Sequence, residues 1–216
     1  EKAKSKKQLS DMKQEKIGAP VRIVQEAGSL KKVVILDATQ ALEIISEMRG
    51  TEIILREVLA DQTSLLSDNS GMVVALKSGC YFFSNTILQE KNVKNVMGEL
   101  LSDAKTPKVG HTIKSFVHWA KRLGWSVEGI EFDTEIAAYL LAAGEGGTDL
   151  ASLAAARFGK SIGEGVQGAM DEADIIFLLS SVLRIELEAE NLMRIFTRFE
   201  LPLISVLAKM EAYGIL

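Results

Sequence analysis

The stretch "KVGHTIKSFVHWAKRLGWSVEGIEFDTEIAAYLL", Lys108 to Leu141, decides how the rest of the chain is read. Its start, within "PKVG" (107–110), is short and strand-like, and "TIKSFVHWAKRLG" (112–124) has helical spacing with Gly124 as the stop. "VEGIEF" (127–132) reads as a strand and 134–143 as a helix. Strands alternating with helices predict a sheet flanked by helices. Within the stretch, Asp133-Thr134-Glu135 places two carboxylates two residues apart, a pattern that a two-metal nuclease uses to hold Mg²⁺. The same letters suit a helix start, with Asp133 as N-cap and Glu135 in the first turn.

Working outward, "KKVVIL" (31–36) is a β-branched run suited to a buried strand. "TQALEIISEMRG" has helical spacing with Thr39 as N-cap and Gly50 as the stop, and "TEIILREVL" (51–59) reads as a strand. "GMVVALKSGCYFF" (71–83) predicts two strands joined at Lys77-Ser78-Gly79, a hairpin. "NTILQEKNVKNVMGELLSD" (85–103) is amphipathic. Beyond the central stretch, helices are predicted over 149–158 and about 169–198. A last one begins within "ELPLISVLAKMEAYG" (200–214), with Pro202 in its first turn. The class is α/β, a mixed sheet flanked by helices.

With 216 residues, 47% of them hydrophobic, the chain has enough material for a core, and no apolar run reaches membrane-spanning length. The start "EKAKSKKQLS" has no apolar signal-peptide region. One cysteine, Cys80, excludes an internal disulfide and fits a reducing, cytoplasmic setting. A net charge of −4 argues against gripping nucleic acid by bulk electrostatics. Residues 1–20 carry six Lys and three acids with little apolar periodicity, as a solvated linker does. The lack of an initial Met, and the stop just past Gly214, lead to the expectation of a segment of a longer protein.

Several local signals are decoys. "GKS" (159–161) lacks the upstream P-loop glycine, since Ala154 stands there, and it follows a helix instead of a strand. His111 and His118 are seven apart, so they could share a helix face, but neither has the partner spacing of a zinc site. Cys80 lies in the hairpin with no charged neighbour in sequence, as a structural thiol does. "MDEAD" (170–174) offers Asp171, Glu172 and Asp174, readable as an acidic helix start or as metal ligands.

Three segments together resemble one family: 108–141, "TDLASLAAARFG" (148–159) and "ELPLISVLAKMEAYGI" (200–215). The chain is similar to the 3′–5′ exonuclease-like domain of bacterial DNA polymerase I (family A), with the first helix of its polymerase domain. That family carries K-V-G-Q-N-x-K-x-D, then G-I-x-F-D-T before a Tyr-Leu-Leu helix, then Asp-Leu-x-x-Leu-Ala, and later E-x-P-L-x-x-V-L-x-x-M-E-x-x-G. The resemblance implies an RNase H-like fold and three parts. These are a linker from an upstream 5′-nuclease domain (1–20), a degenerate exonuclease-like domain (21–198) and the start of a polymerase domain (199–216).

The resemblance also relocates the chemistry. The family's catalytic D-x-E lies on an earlier strand, and anchoring on the hairpin places its Asp, Thr and Glu on Arg56, Glu57 and Val58. The metal-binding Asp of the second motif becomes Phe116. A Tyr and the Asp four residues later become Gly168 and Glu172, which leaves Glu172 as the one retained carboxylate. Arg and Val offer no hard oxygen to Mg²⁺. The resemblance therefore implies no catalytic residue, metal or cofactor in this segment, Mg²⁺ belonging to the parent polymerase. It implies a monomeric scaffold away from membranes, in an enzyme of DNA replication and repair, with DNA and the adjacent polymerase domain as partners. The alternative is an active metal-dependent exonuclease using a rearranged set such as Asp133, Glu135, Glu172 and Asp174. A third reading is weak single-strand binding, hinted at by Phe116 beside Lys114; Phe116 also suits the space vacated by lost metals.

Overall fold

Period-two alternation in the strands sets the architecture, because successive side chains leave a strand on opposite faces. In β2 (Ile53–Val58), Ile53 and Leu55 join one hydrophobic core while Ile54 and Val58 join the other. The computed structural model describes residues 29–59, 70–143 and 147–214. The expected linker over 1–20 lies outside the described residues.

β1 (Lys32–Val34) leads through α1 (Ala38–Met48) to β2, then to the hairpin strands β3 (Gly71–Leu76) and β4 (Gly79–Ser84). Next come α2 (Asn85–Gln89), α3 (Lys91–Ser102), β5 (Lys108–Gly110), α4 (Ile113–Arg122), β6 (Ile130–Asp133) and α5 (Thr134–Leu141). α6 (Leu150–Phe158) and α7 (Gly165–Ala189) follow. The described chain closes with α8 (Met193–Ile195), a π-helical turn (Phe196–Glu200) and α9 (Leu201–Ala212).

The six strands form one sheet in the order β1-β4-β3-β2-β5-β6. β3 pairs antiparallel with both β4 and β2, while β1–β4, β2–β5 and β5–β6 are parallel, so the sheet is mixed as expected. Residues of α1, α3 and α4 fill the core on one face, and residues of α5, α6 and α7 fill the other.

Several boundaries differ from the sequence reading, each for a local reason. The cap of α1 is Asp37 in place of Thr39, its carboxylate accepting from Gln40 N at 2.9 Å. The amphipathic run 85–103 splits at Glu90, which leaves helical geometry between α2 and α3. β6 begins only at Ile130, because Gly129 sits at φ +72° with its backbone pressed on Ala104. The long helix starts at Gly165 and stops where Asn191 turns to φ +60°. The last helix keeps Pro202 in its first turn, as expected; Pro202 cannot donate to the carbonyl four residues back, and a π turn stands immediately ahead of the helix.

Gly98 on α3 is pressed against Trp125, whose indole Nε1 donates to Lys94 O at 3.0 Å. A Cβ at position 98 would stand 2.8 Å from the indole Cδ1. Gly98→Ala is expected to cost about 1–3 kcal/mol, as overpacking does, read as a lower urea midpoint. An unchanged midpoint would mean that the ring has room to retreat.

Candidate functional site

β2 carries Arg56 between Ile54 and Val58 on the face that α7 covers, so a cation stands on the wall of a core. Its Nε donates to Glu172 Oε2 on α7 at 2.5 Å, and its Nη1 lies 3.8 Å from Glu57 Oε1. Both members of the Arg56–Glu172 pair are only partly exposed, so the pair keeps more of its Coulomb energy than a surface bridge would. Glu57, on the opposite face, is pushed above the usual carboxylate range by burial, with Arg56 pulling the other way.

Two neighbouring α7 carboxylates, Asp171 and Asp174, are also engaged. Asp171 accepts from Lys32 on β1, from Gly163 N at 3.2 Å and from Gln167 Nε2 at 3.3 Å. Burial pushes its carboxyl up, but the contacts with Lys32 and Gly163 outweigh that and hold it low. Asp174 is buried and accepts from Ser29 Oγ at 2.9 Å, Leu30 N at 3.1 Å and Lys160 Nζ at 3.2 Å. "MDEAD" is therefore not a helix start, since α7 begins at Gly165 and its acids lie beyond the first turn. Cations and N–H groups from distant segments balance these acids, and the helix dipole does not.

Gly168 lies one turn before Glu172 on α7. A Cβ built there would fall 2.2 Å from the Gly163 carbonyl oxygen. The segment between α6 and α7 therefore lies directly over this position, tied by Gly163 N to Asp171 and by Lys160 to Asp174. No side chain larger than hydrogen fits without moving it.

Asp133 is buried at the junction of β6 and α5. Oδ1 accepts from Glu135 N at 2.9 Å and Ile136 N at 3.2 Å, and Oδ2 accepts from Ile113 N at 2.7 Å. One carboxylate thus caps α5 and holds the start of α4. Burial raises its pKa while the three N–H donors oppose the rise. Glu135 accepts from the Thr112 hydroxyl at 2.9 Å. Thr112 sits at φ +55°, a left-handed conformation that a β-branched residue adopts only under constraint.

Arg56 and Glu172 are thus in direct contact, with Val58 two residues along the same strand face and Gly168 one turn away on α7. Phe116 is placed differently. It is buried in the opposite core, its ring centroid 5.4 Å from that of Trp119. The alternative acidic set is dispersed: Asp133 is a cap, Glu135 bonds a threonine, and Glu172 and Asp174 have separate cations. Among the described residues, no three His, Cys, Asp or Glu side chains converge as a metal would require. With a guanidinium on Glu172 and an aliphatic Val58, the residues here do not fit a divalent ion.

The remaining candidates have structural surroundings. Cys80 is buried, its Sγ donating to Met170 O at 3.8 Å, and burial pushes its thiol up to about 12. "GKS" follows α6, and Gly159 at φ +63° ends that helix. His111 and His118 do not share a helix face: His111 precedes α4, while His118 lies on it. Sequence reasoning missed Lys32, Lys160 and Gly163. Their partners lie 139, 14 and 8 residues away, and no local pattern joins them.

With this geometry in hand, comparison with known proteins is informative. The family model described as DNA polymerase I, ribonuclease H-like domain, matches residues 56–163. The DNA polymerases I of Mycobacterium bovis and Mycobacterium tuberculosis are 27% identical over 167 residues, covering 68% of this chain. The chain spans 18% of the length of those relatives. The POL domain of Pol1 from M. smegmatis, solved with DNA primer-template and dNTP, superposes with a TM-score of 0.68 at 22% identity, covering 83% of this chain and 31% of that one. The catalytic core of RRP6 from Trypanosoma brucei gives 0.65 at 14% identity, over 82% of this chain and 52% of that one. NrnC of Brucella melitensis, bound to pGG, gives 0.62 at 12%, over 87% and 95%. At such identities these structures share the fold alone.

The buried His111 gives a test of this region's polarity. The Thr134 hydroxyl donates to Gly110 O at 3.2 Å, so it must accept from His111 Nδ1 at 2.9 Å, which assigns the ring proton to Nδ1. Burial first, then the charge of Arg56, lowers the His111 pKa to about 4. The unfolded chain binds this proton more readily, so stability is lost as pH falls from about 6.5 to about 4, by at most about 1.4 kcal/mol per pH unit. Thermal melts of the native chain and of His111→Gln across that window should diverge, with the variant showing the shallower slope. Parallel slopes would contradict this assignment.

Proposed function

The chain belongs to the DNA polymerase I, ribonuclease H-like domain family, and from that premise we propose that it is a 3′–5′ exonuclease-like domain without nuclease chemistry. The Arg56–Glu172 pair carries the proposal. A two-metal nuclease holds its ions with convergent carboxylates and directs them at the scissile phosphate. Here a guanidinium already neutralises the one acid retained at those positions. A divalent ion arriving there meets a fixed positive charge about as far away as the two metals of such a site would be from each other, a repulsion of several kcal/mol at an effective dielectric near 20. The collapse of the Gly163 backbone onto Gly168 supports the same reading, because it takes the space in which a water-orienting tyrosine would stand.

The domain's task in this reading is mechanical. It serves as a folded spacer within a DNA polymerase I used in replication and repair, and DNA is met through the parent polymerase. The closing segment supports a neighbouring domain: Phe199 in the π turn, Leu203, Val206, Leu207 and Met210 on α9, and Tyr213 just past it are all exposed at near-helical spacing. An apolar stripe of that length marks a surface that another element covers. Among the described residues no helix is long and apolar enough to cross a membrane.

The test is a 3′-labelled single-stranded oligonucleotide incubated with the chain in Mg²⁺ or Mn²⁺, with an intact proofreading domain alongside. The expected result is no shortening above background, and millimolar metal leaving the melting temperature unmoved, since stabilisation requires a site with affinity for the ion. Metal-dependent shortening from the 3′ end that Glu172→Ala abolishes would overturn the proposal.

A further inference from the structure

Among the described residues, the buried side chains of the closing segment are Phe196 in the π turn, then Ile204 and Ala208 on α9, the last two spaced for one helix face, with Leu201 packed beside them. One turn further, on that same face, Glu211 projects toward α4. There Lys114 Nζ donates to Oε1 at 2.7 Å and His118 Nε2 meets Oε2 at 2.7 Å. Lys114 and His118 are four residues apart, so they sit one above the other on α4 and hold one carboxylate between them. Bonding from Lys114, then from His118, holds the Glu211 carboxyl below its ordinary value.

We propose that Glu211, Lys114 and His118 form an ionic latch that fixes the C-terminal half of α9 against α4. The apolar face of α9 is exposed, and among the described side chains none beyond Ala208 is buried, so the latch helps to set the last turns in place. Its side chains are each about one-third exposed, so salt weakens the Lys114–Glu211 ion pair while it leaves the packing of Ile204 and Ala208 untouched. The latch is thus a release point between the sheet domain and whatever α9 meets.

Amide hydrogen exchange resolved along the chain tests this. In Glu211→Gln, amides between residues 206 and 211 should exchange roughly tenfold faster, the scale of one charged hydrogen bond. Those of α7 should be unchanged. Lys114→Met should give the same local rise, and 0.5 M NaCl should produce it in the native chain without adding to it in Glu211→Gln. Unchanged exchange over 206–211 in both variants, or an equal rise in α7, would overturn the latch.

Discussion

An arginine on the middle strand of an α/β sheet requires an anion, because a cation on a core wall is tolerated only when paired. Arg56 finds one in Glu172, and that pairing fixes how α7 lies across β2. From it the rest of this side follows. α7 must present further carboxylates to the sheet edge and to the loop before it, and Lys32 and Lys160 complete them. The loop is drawn down until the Gly163 carbonyl rests where Gly168 has no side chain. The result is a face of the sheet tied to α7 by ion pairs.

Much of the fold was legible in the sequence. Period-two strands, the Lys77-Ser78 turn and the Asp133 cap are local signals, set by pleat geometry, turn chemistry and N–H groups at a helix start. The resemblance then supplied the register, and with it Arg56 opposite Glu172. What stayed hidden depends on long-range placement. The pairing of Lys32 with Asp171 closes across 139 residues, and both ends look like solvated surface charges when read alone. The position of Phe116 was hidden for the same reason. A helix face is chosen by what packs on it, and the neighbouring Trp119 and Trp125 draw the ring into the other core.

Element boundaries were the other weak point, and they differed where a local backbone conformation broke the pattern. Gly129 takes positive φ close against the backbone of Ala104, and Glu90 leaves helical geometry between α2 and α3. Neither is encoded in apolar spacing. Fold and chemistry are separable: hydrophobic alternation and caps hold the sheet, whichever polar side chains line its face.

The contact between the Arg56 guanidinium and the Glu172 carboxylate should be an energetically coupled pair. A double-mutant cycle measures this directly, with Arg56→Met, Glu172→Gln and the double variant unfolded in urea. A coupling of about 1–3 kcal/mol, with the double variant more stable than the sum of the single losses implies, is the predicted result. Strictly additive losses would mean that the two side chains are neighbours without being partners, and would contradict the account.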